Sequence, residues 1–262
     1  MTTCSENQPS VVLVHGMWSD QDTLETVEEA FKEEGYATCA INLPYHYSKA
    51  EHTESSKARL AQTRLQDYVA YIVEQVKQLQ QPPILVGHSM GGLLVQLVAA
   101  QVPCHRLILL SSAAPAGING VSVSVLRTLG SNLLRVPLWR RITEVNLPNI
   151  RYGIANSQSP ECQQEIFARS TYESGMATFQ ISMGLLLRRY SAAHVNVDNI
   201  QCPILVIGGT ADRITPISIQ RKIVQRFGNM AQLKEIENCC HWTIGGQYFP
   251  KIRSTLFKWL AQ

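Results

Sequence analysis

Residues 84–95 constrain the fold of this chain more than any other stretch. They begin with the apolar run Ile84-Leu85-Val86, continue as Gly87-His88-Ser89-Met90-Gly91, and lead directly into a long segment with helical apolar spacing. This pattern predicts a buried strand, a one-residue elbow and a helix. The elbow forces Ser89 into a strained backbone conformation that only small neighbours, here Gly87 and Gly91, permit. We therefore expect the Ser89 hydroxyl to stand above the sheet edge, facing a helix N-terminus. The alternative is an ordinary strand–helix turn in which the serine has no catalytic role.

The composition is typical of one α/β domain with room for an inserted subdomain. With 262 residues and 45% hydrophobic content, the chain can bury a sizeable core. Charged residues make up only 16%, against an average of about 25%. This deficit indicates apolar surface that a lipid-like substrate, or a second copy of the chain in a homodimer, could cover. The net charge of +3 implies neither nucleic acid nor an anionic membrane as a partner.

No targeting segment, membrane span or cofactor site is expected. Residues 1–10 are polar and lack the basic and apolar regions of a signal peptide. No apolar run reaches the roughly 18 residues of a membrane-spanning helix. The seven cysteines are scattered, without a C-x-x-C pair or the Cys/His spacing of a zinc site. We therefore expect a cytoplasmic protein with free thiols, no metal and no cofactor.

The residues Gly87-His88-Ser89-Met90-Gly91-Gly92 resemble the nucleophile elbow of the α/β-hydrolase superfamily, in the form common among its lipases and esterases. The resemblance implies a mostly parallel, doubly wound sheet with the active site at its carboxyl edge. Members usually begin with an antiparallel hairpin, but only ten residues precede the first strand-like run here. We therefore expect a trimmed N-terminus and about six strands.

A second loop is also similar to a superfamily motif. His15-Gly16-Met17 follows the apolar run at residues 11–14 and resembles the His-Gly-X loop. By this resemblance, the backbone N–H groups of Met17 and Met90 form an oxyanion hole. A plain turn at a strand end is the alternative. Trp18 is expected to line the substrate pocket, with simple core packing as its alternative.

The following loop departs from the superfamily pattern. Many relatives carry Asp-x-x-Gly-His-Gly-x-Ser, whereas this chain has Asn42-Leu43-Pro44-Tyr45-His46-Tyr47-Ser48. Because tyrosines replace two glycines that can adopt positive φ, we expect a different loop path. Two interpretations stay open: Tyr45, His46 and Tyr47 form a pocket rim, or the loop is a solvated surface segment. Residues 59–80 then predict one long amphipathic helix.

Residues 117–198 interrupt the strand–helix alternation. Their helical apolar patterns are broken by prolines, and the superfamily inserts a helical cap at this place. We therefore expect a core formed by 1–116 and 199–262, a cap at 117–198, and substrate contacts from Met183 and Leu186 in that cap. The segment carries eight arginines, no lysine and five acidic residues, hence the whole net charge of +3. Either pairs such as Arg188-Arg189 and Arg140-Arg141 recognise an anionic head group, or this is an ordinary lid with a solvated face. The first of the apolar patterns comprises Val125, Leu126, Leu129, Leu133 and Leu134.

An acid and a histidine follow the last two strand-like runs. The spacing Gly209-x-x-Asp212-x-x-x-Pro216 is similar to the acid loop of the superfamily, and residues 111–116, after the preceding strand, contain no carboxylate. A helix cap is the alternative role for Asp212. His241 follows the final run, beside Trp242, which we expect to line the pocket. The order Ser89, Asp212, His241 is that of the superfamily, which implies a nucleophile, an orienting acid and a general base.

These features predict a serine hydrolase that cleaves carboxylic esters, either lipid-like or small acyl and aryl esters, through an acyl-enzyme. Thioesterases, C–C hydrolases and acyltransferases use the same three residues. Some proteins of this fold instead sense a ligand as receptors. These alternatives stay open at this point, because specificity lies in the pocket rather than in the fold.

Overall fold

A computed structural model describes residues 8–120, 123–133 and 136–262 of the chain. Eight strands are present in these residues: β1 Val11–Val14, β2 Thr38–Ile41, β3 Ile84–His88, β4 Arg106–Leu110, β5 Ile142–Thr143, β6 Glu173–Ser174, β7 Ile204–Gly209 and β8 Ala231–Ile236. Six of them form one parallel sheet in the order β2-β1-β3-β4-β7-β8, and β5 and β6 form a separate antiparallel ribbon. The expected parallel sheet of about six strands is confirmed.

Eleven α-helices flank or follow these strands in the described residues: α1 Glu25–Glu33, α2 Glu54–Gln62, α3 Leu65–Lys77, α4 Met90–Ala99, α5 Val123–Leu133, α6 Leu147–Asn149, α7 Pro160–Arg169, α8 Gly175–Ser182, α9 Gly184–Leu187, α10 Ile217–Phe227 and α11 Phe249–Leu260. None of these described helices has both the length and the apolar composition needed to cross a lipid bilayer.

Alternating strand residues build two cores, one on each face of the sheet. In β1, Val12 and Val14 pack with residues of α3, α4 and α10, whereas Val11 and Leu13 pack with residues of α1 and α11. The four central strands β1, β3, β4 and β7 are buried on both faces, which explains their nearly continuous apolar sequences, whereas the edge strands β2 and β8 are partly exposed. The chain is therefore doubly wound, and the strand order reverses between β1 and β3. Ligands of such sheets bind beyond the carboxyl ends of the strands at this reversal.

The expected single helix over residues 59–80 is wrong, because the chain breaks into α2 and α3. Thr63 and Arg64 adopt extended backbone conformations between the two helices. The Thr63 hydroxyl donates to the Arg59 carbonyl at 3.0 Å and closes α2. Asp67 accepts the Arg64 N–H at 2.8 Å and opens α3. These local side-chain bonds outweigh the apolar periodicity that continues across the break.

The loop after β2 matches neither of its two interpretations. Tyr45 adopts a positive φ of 65°, so a tyrosine does take the conformation for which we expected glycine. Tyr47 is 41% exposed, but His46 between them is fully buried. Since the His46 ring points into the protein, it belongs neither to a pocket rim nor to a solvated surface.

His46 contributes to a buried polar cluster that the sequence did not indicate. Its Nε2 lies 3.0 Å from Oε2 of Glu173 in β6, and both side chains are fully buried. The Tyr68 hydroxyl donates to Oε1 of Glu173 at 2.8 Å, and the Ser174 N–H donates to the same oxygen at 2.6 Å. We call His46, Tyr68, Glu173 and Ser174 the Glu173 cluster. It joins the loop after β2, helix α3 and the β5–β6 ribbon.

The chain between β4 and β7 contains helices α5 to α9 together with the β5–β6 ribbon, which the sequence did not predict. Of the first apolar pattern, Leu134 lies outside the described residues, as do the side chains of Leu129 and Leu133. Trp18, which follows β1, packs in an apolar cluster with Val145 and Ile150 of this segment. The division into a core and a cap at residues 117–198 stays a prediction.

Candidate active site

Ser89 occupies a strained elbow between β3 and α4. Its backbone has φ 55° and ψ −119°, outside the conformations that residues other than glycine favour. A Cβ on Gly87 would overlap the Gly91 carbonyl, and a Cβ on Gly91 would overlap the Val14 carbonyl in β1. Because these obstacles are backbone atoms, both positions must be glycine. This is the demand for small residues that the sequence pattern predicts.

Three residues distant in the sequence form one hydrogen-bonded chain at the carboxyl edge of the sheet. Oγ of Ser89 lies 2.9 Å from Nε2 of His241, and Nδ1 of His241 lies 2.9 Å from Oδ2 of Asp212. Ser89 follows β3, Asp212 follows β7 and His241 follows β8. All three side chains are buried. The structure thus brings together the serine, acid and histidine that the sequence singles out.

Asp212 is held as an oriented carboxylate. Its Oδ1 accepts the backbone N–H groups of Ile214 and Thr215, each at 2.8 Å. Burial raises the pKa of Asp212, but the adjacent His241 and the two backbone N–H groups outweigh burial, so its pKa lies below the ordinary value. The group is therefore ionised at neutral pH and can stabilise a positive charge on His241.

The Thr215 hydroxyl is a further part of this site that the sequence did not indicate. Its Oγ1 lies 2.9 Å from Oδ2 of Asp212, 3.0 Å from the Ser111 carbonyl and 3.2 Å from Nδ1 of His241. Together with the two backbone N–H groups, this hydroxyl fixes the plane of the carboxylate. The only sequence signal was its position three residues after the acid, where a capping hydroxyl is common in turns.

The ring of His88 packs against His241. Its Nε2 donates to the His241 carbonyl at 3.0 Å, and the two rings lie 5.0 Å apart. Nδ1 of His88 is buried and has no hydrogen-bond partner within the described part of the chain. Burial, reinforced by the nearby His241, lowers the pKa of His88 to about 3. His88 is therefore a neutral packing residue at physiological pH.

Met17 and Met90, the two residues expected to form an oxyanion hole, both lie at a cavity that Ser89 lines. Met90 is the first residue of α4, so its N–H is one of those that no carbonyl within the helix accepts. Both methionines border the same cavity as Ser89. The two loops from which an oxyanion hole is expected therefore flank the serine, on either side of the point where the strand order reverses.

Two contacts hold the loop after β1 against the segment between β4 and β7. Trp18 has a φ of 58°, and its carbonyl accepts the Thr171 N–H at 2.9 Å. The Trp18 indole N–H donates to Oγ1 of Thr143 at 3.0 Å. Because Trp18 directly follows Met17, both contacts help to position the Met17 N–H. The sequence did not reveal this connection.

Two cavities meet at Ser89 and Met17. The larger has a volume of about 550 Å³ and is lined by Trp18, His241 and Trp242, by apolar side chains such as Ile150 and Ile154, and by several polar side chains. Those polar residues are Ser19, Asp22, Thr23, Glu25, Thr26, Glu165, Arg169 and Ser170. The smaller cavity has a volume of about 130 Å³ and a mainly apolar wall. That wall includes Ala113, Ala114, Pro115, Ile118, Val125, Leu126, Ile181, Leu185 and Ile219.

Of the four residues expected to contact substrate, two line a cavity beside Ser89 and two do not. Trp18 and Trp242 line the larger cavity. Met183 and Leu186 line neither cavity, and Leu186 is 74% exposed. Their neighbours Ile181 and Leu185 face the smaller cavity instead. The structure therefore does not place Met183 and Leu186 at the cavities beside Ser89, because Ile181 and Leu185 line that side of α8 and α9.

The arginine pairs lie away from both cavities. Arg188 and Arg189 are exposed, and the Arg189 guanidinium donates to the Tyr190 hydroxyl at 2.8 Å. Arg140 and Arg141 are exposed as well, and neither lines either cavity. Arg169 does line the larger one, where it lies 3.4 Å from a carboxylate oxygen of Glu25. The solvated face is thus the better account of the two pairs.

Comparison with known proteins agrees with this architecture. Residues 5–246 match the serine aminopeptidase S33 family. Monoacylglycerol lipase ABHD6 from Mus musculus is 24% identical over 90% of this chain and 70% of its own length. Monoglyceride lipase from Rattus norvegicus is 29% identical over 66% of this chain and 56% of its own length.

Solved structures show the same fold. A monoacylglycerol lipase from Paleococcus ferrophilus superposes with a TM-score of 0.71 at 19% identity, covering 97% of this chain and 95% of that one. An esterase from Exiguobacterium antarcticum superposes with a TM-score of 0.72 at 19% identity, covering 97% and 92%. By its sequence match over most of its length and by its fold, this chain belongs to the serine aminopeptidase S33 family of α/β-hydrolases.

Proposed function

We propose that this chain is a serine hydrolase that cleaves carboxylic esters joining a short apolar acyl group to a polar alcohol. The observation that carries the proposal is the hydrogen-bonded chain from Ser89 through His241 to Asp212, placed where two cavities of different polarity meet. Relatives named as monoacylglycerol lipases and esterases support the ester-hydrolase class. Their low identity leaves the substrate of this chain to be argued from its own cavities.

In this proposal His241 removes the proton of Ser89 as the serine oxygen attacks the ester carbonyl. The negative charge that develops on the carbonyl oxygen is stabilised by the N–H groups of Met17 and Met90, at the N-terminus of α4. His241 then protonates the departing alcohol. Water, activated by the same histidine, releases the acid and restores Ser89. Asp212 keeps the His241 ring oriented and stabilises its charged form in both halves of the reaction.

The two cavities suggest how the ester lies in the site. The smaller cavity has an apolar wall and a volume of about 130 Å³, which suits a short or slender acyl chain. The larger cavity has a volume of about 550 Å³ and has carboxylates and hydroxyls among its lining groups, which suits a hydroxyl-bearing alcohol. A short-chain acylglycerol is one ester that meets both conditions.

A p-nitrophenyl ester series of increasing acyl length tests the proposal. We expect the highest kcat/KM for short chains and a steep loss for long ones, because the acyl cavity is small. Ser89→Ala should abolish turnover and labelling by a fluorophosphonate probe. The matched control is Ser112→Ala, which removes another buried serine hydroxyl at the same sheet edge and should retain turnover. Equal turnover of wild type and Ser89→Ala would exclude Ser89 as the nucleophile.

A further inference from the structure

Cys104 and Cys202 lie side by side at the edge of the sheet opposite to Ser89. Cys104 comes shortly before β4 and Cys202 shortly before β7, and these two strands are neighbours. Leu107 pairs with Ile204, and the Leu107 N–H donates to the Pro203 carbonyl at 3.0 Å. This ladder places residues 98 positions apart in direct contact, with their Sγ atoms separated by 3.1 Å.

The two thiols share an apolar environment. Cys202 is only 5% exposed and belongs to the core on the α3, α4 and α10 face, and Cys104 packs against the same core while keeping partial exposure. The hydrogen bond between the sulfurs lowers the pKa of Cys202, because the Cys104 thiol stabilises the thiolate that forms. A thiolate is the nucleophilic form of cysteine. The Cys202 sulfur is thus the more easily ionised of the two, and the Cys104 sulfur lies in contact with it.

We propose that Cys104 and Cys202 form a reversible disulfide when the protein meets a hydroperoxide. This revises the expectation that all thiols stay free. The sulfurs need to approach by about 1 Å to reach bonding distance. Both residues stand in connecting segments just outside the strands, where a shift of this size does not break the ladder.

The oxidation can be written with hydrogen peroxide as the oxidant. A thiolate sulfur attacks one peroxide oxygen, the O–O bond breaks, and the products are a sulfenic acid and, after protonation, one water. The second thiol sulfur attacks the sulfenic sulfur, the S–O bond breaks, and a second water leaves. The two thiols lose two electrons and two protons, and the peroxide is reduced to two waters.

The Cys104–Cys202 disulfide would change the stability of the protein rather than its catalytic activity. It closes a covalent loop from residue 104 to residue 202, which contains the entire segment between β4 and β7. Such a large closed loop restricts the unfolded chain and so favours the folded state. Because the bond lies at the amino-terminal edge of the sheet, Ser89 and His241 at the opposite edge keep their geometry. The oxidised protein should therefore be more heat-resistant with an unchanged kcat.

The test compares the full-length protein after treatment with dithiothreitol and with hydrogen peroxide. We expect the thiols titrated in denaturant to fall from seven to five on oxidation. Peptide mapping should recover one linked pair containing residues 104 and 202. The Tm of the oxidised form should exceed that of the reduced form by roughly 5–15 °C.

Variants assign the effect to this pair. Cys104→Ser and Cys202→Ala should each lose the linked peptide and the redox-dependent Tm difference. Cys39→Ser, which removes an exposed thiol in β2, should keep both. Since each variant is compared with its own reduced form, a general loss of stability does not mimic the result. A linked peptide from another cysteine pair, or a Tm difference that survives in Cys104→Ser, would overturn the proposal.

Discussion

The Glu173 cluster allows a sharp test of how buried polar contacts stabilise this fold. Both nitrogens of the His46 ring face acceptors: Nε2 faces Oε2 of Glu173 at 3.0 Å, and Nδ1 faces the Pro44 carbonyl at 3.2 Å. Oε1 of Glu173 accepts from Tyr68 and Ser174. The perturbation we consider is His46→Phe, which keeps a ring of similar shape and removes the donor to the carboxylate.

His46→Phe leaves a fully buried carboxylate with one oxygen unpaired, and we expect it to lower the free energy of unfolding by roughly 3–5 kcal/mol. Glu173→Gln is milder, at about 1 kcal/mol, since the amide oxygen still accepts from Tyr68 and Ser174. The side-chain N–H₂ of the Glu173→Gln variant can donate to Nε2 of His46 when the His46 ring carries its proton on Nδ1, which faces the Pro44 carbonyl. In the double variant no buried charge is stranded, so we expect a loss of about 2–3 kcal/mol.

The second substitution should therefore recover stability that the first one removed. Urea unfolding of the four proteins, followed by circular dichroism and fluorescence, measures the coupling between the two sites. Glu51→Gln is a suitable control, because Glu51 binds Ser48 of the same loop in an exposed setting, and we expect little change in its midpoint. If the losses of the two single variants simply add in the double variant, the buried charge does not govern the stability of this cluster.

Three further predictions concern the candidate site. The pKa of His88 is lowered to about 3 in the folded protein, against about 6.5 in the unfolded chain. Between pH 8 and pH 5 the unfolded chain therefore binds a proton at His88 that the folded protein does not bind, and the folded state loses about 2 kcal/mol of stability. His88→Gln should remove this part of the loss, which urea unfolding at pH 8 and at pH 5 would measure. Gly91→Ala should abolish folding or activity, because its Cβ would overlap backbone of β1, whereas Gly228→Ala has open space around the new Cβ and should cost only backbone strain; an active, stable Gly91→Ala protein would contradict the elbow geometry. Thr215→Val removes the hydroxyl beside Oδ2 of Asp212 but keeps the N–H bond to Oδ1, so kcat should fall about tenfold at constant KM, and Thr215→Ser should restore it.

The parts of this structure that could be predicted from the sequence are those with a local cause. Ser89 had to lie in an elbow because only glycines can stand two residues away on either side, and the structure places backbone atoms where their side chains would be. The positions of Asp212 and His241 follow from strand-like runs that end three and five residues before them, at Gly209 and Ile236. Because the carboxyl ends of parallel strands lie at the same edge of the sheet, the three residues were expected to lie close together there.

The parts that could not be predicted depend on contacts between distant residues. Nothing near His46 in the sequence indicates that its partner lies 127 positions away in Glu173. The break between α2 and α3 depends on two local side-chain bonds, from Thr63 and to Asp67, that compete with an uninterrupted apolar pattern. For Met183 and Leu186 the difficulty is similar, since the apolar pattern does not show which of several neighbouring apolar side chains lines the cavity, and the structure places Ile181 and Leu185 there.

The contacts of Trp18 give the segment between β4 and β7 a role beyond covering the site. A non-glycine residue with positive φ costs roughly 1–3 kcal/mol and persists only when its surroundings hold it. For Trp18 those surroundings are the Thr171 N–H and the Thr143 hydroxyl, which both belong to that segment. Since Met17 is the adjacent residue, the same two bonds restrain the backbone beside it, next to the cavities at Ser89. With Met17 as a proposed oxyanion donor, we therefore expect changes in this segment to alter kcat as well as substrate preference through the cavity walls.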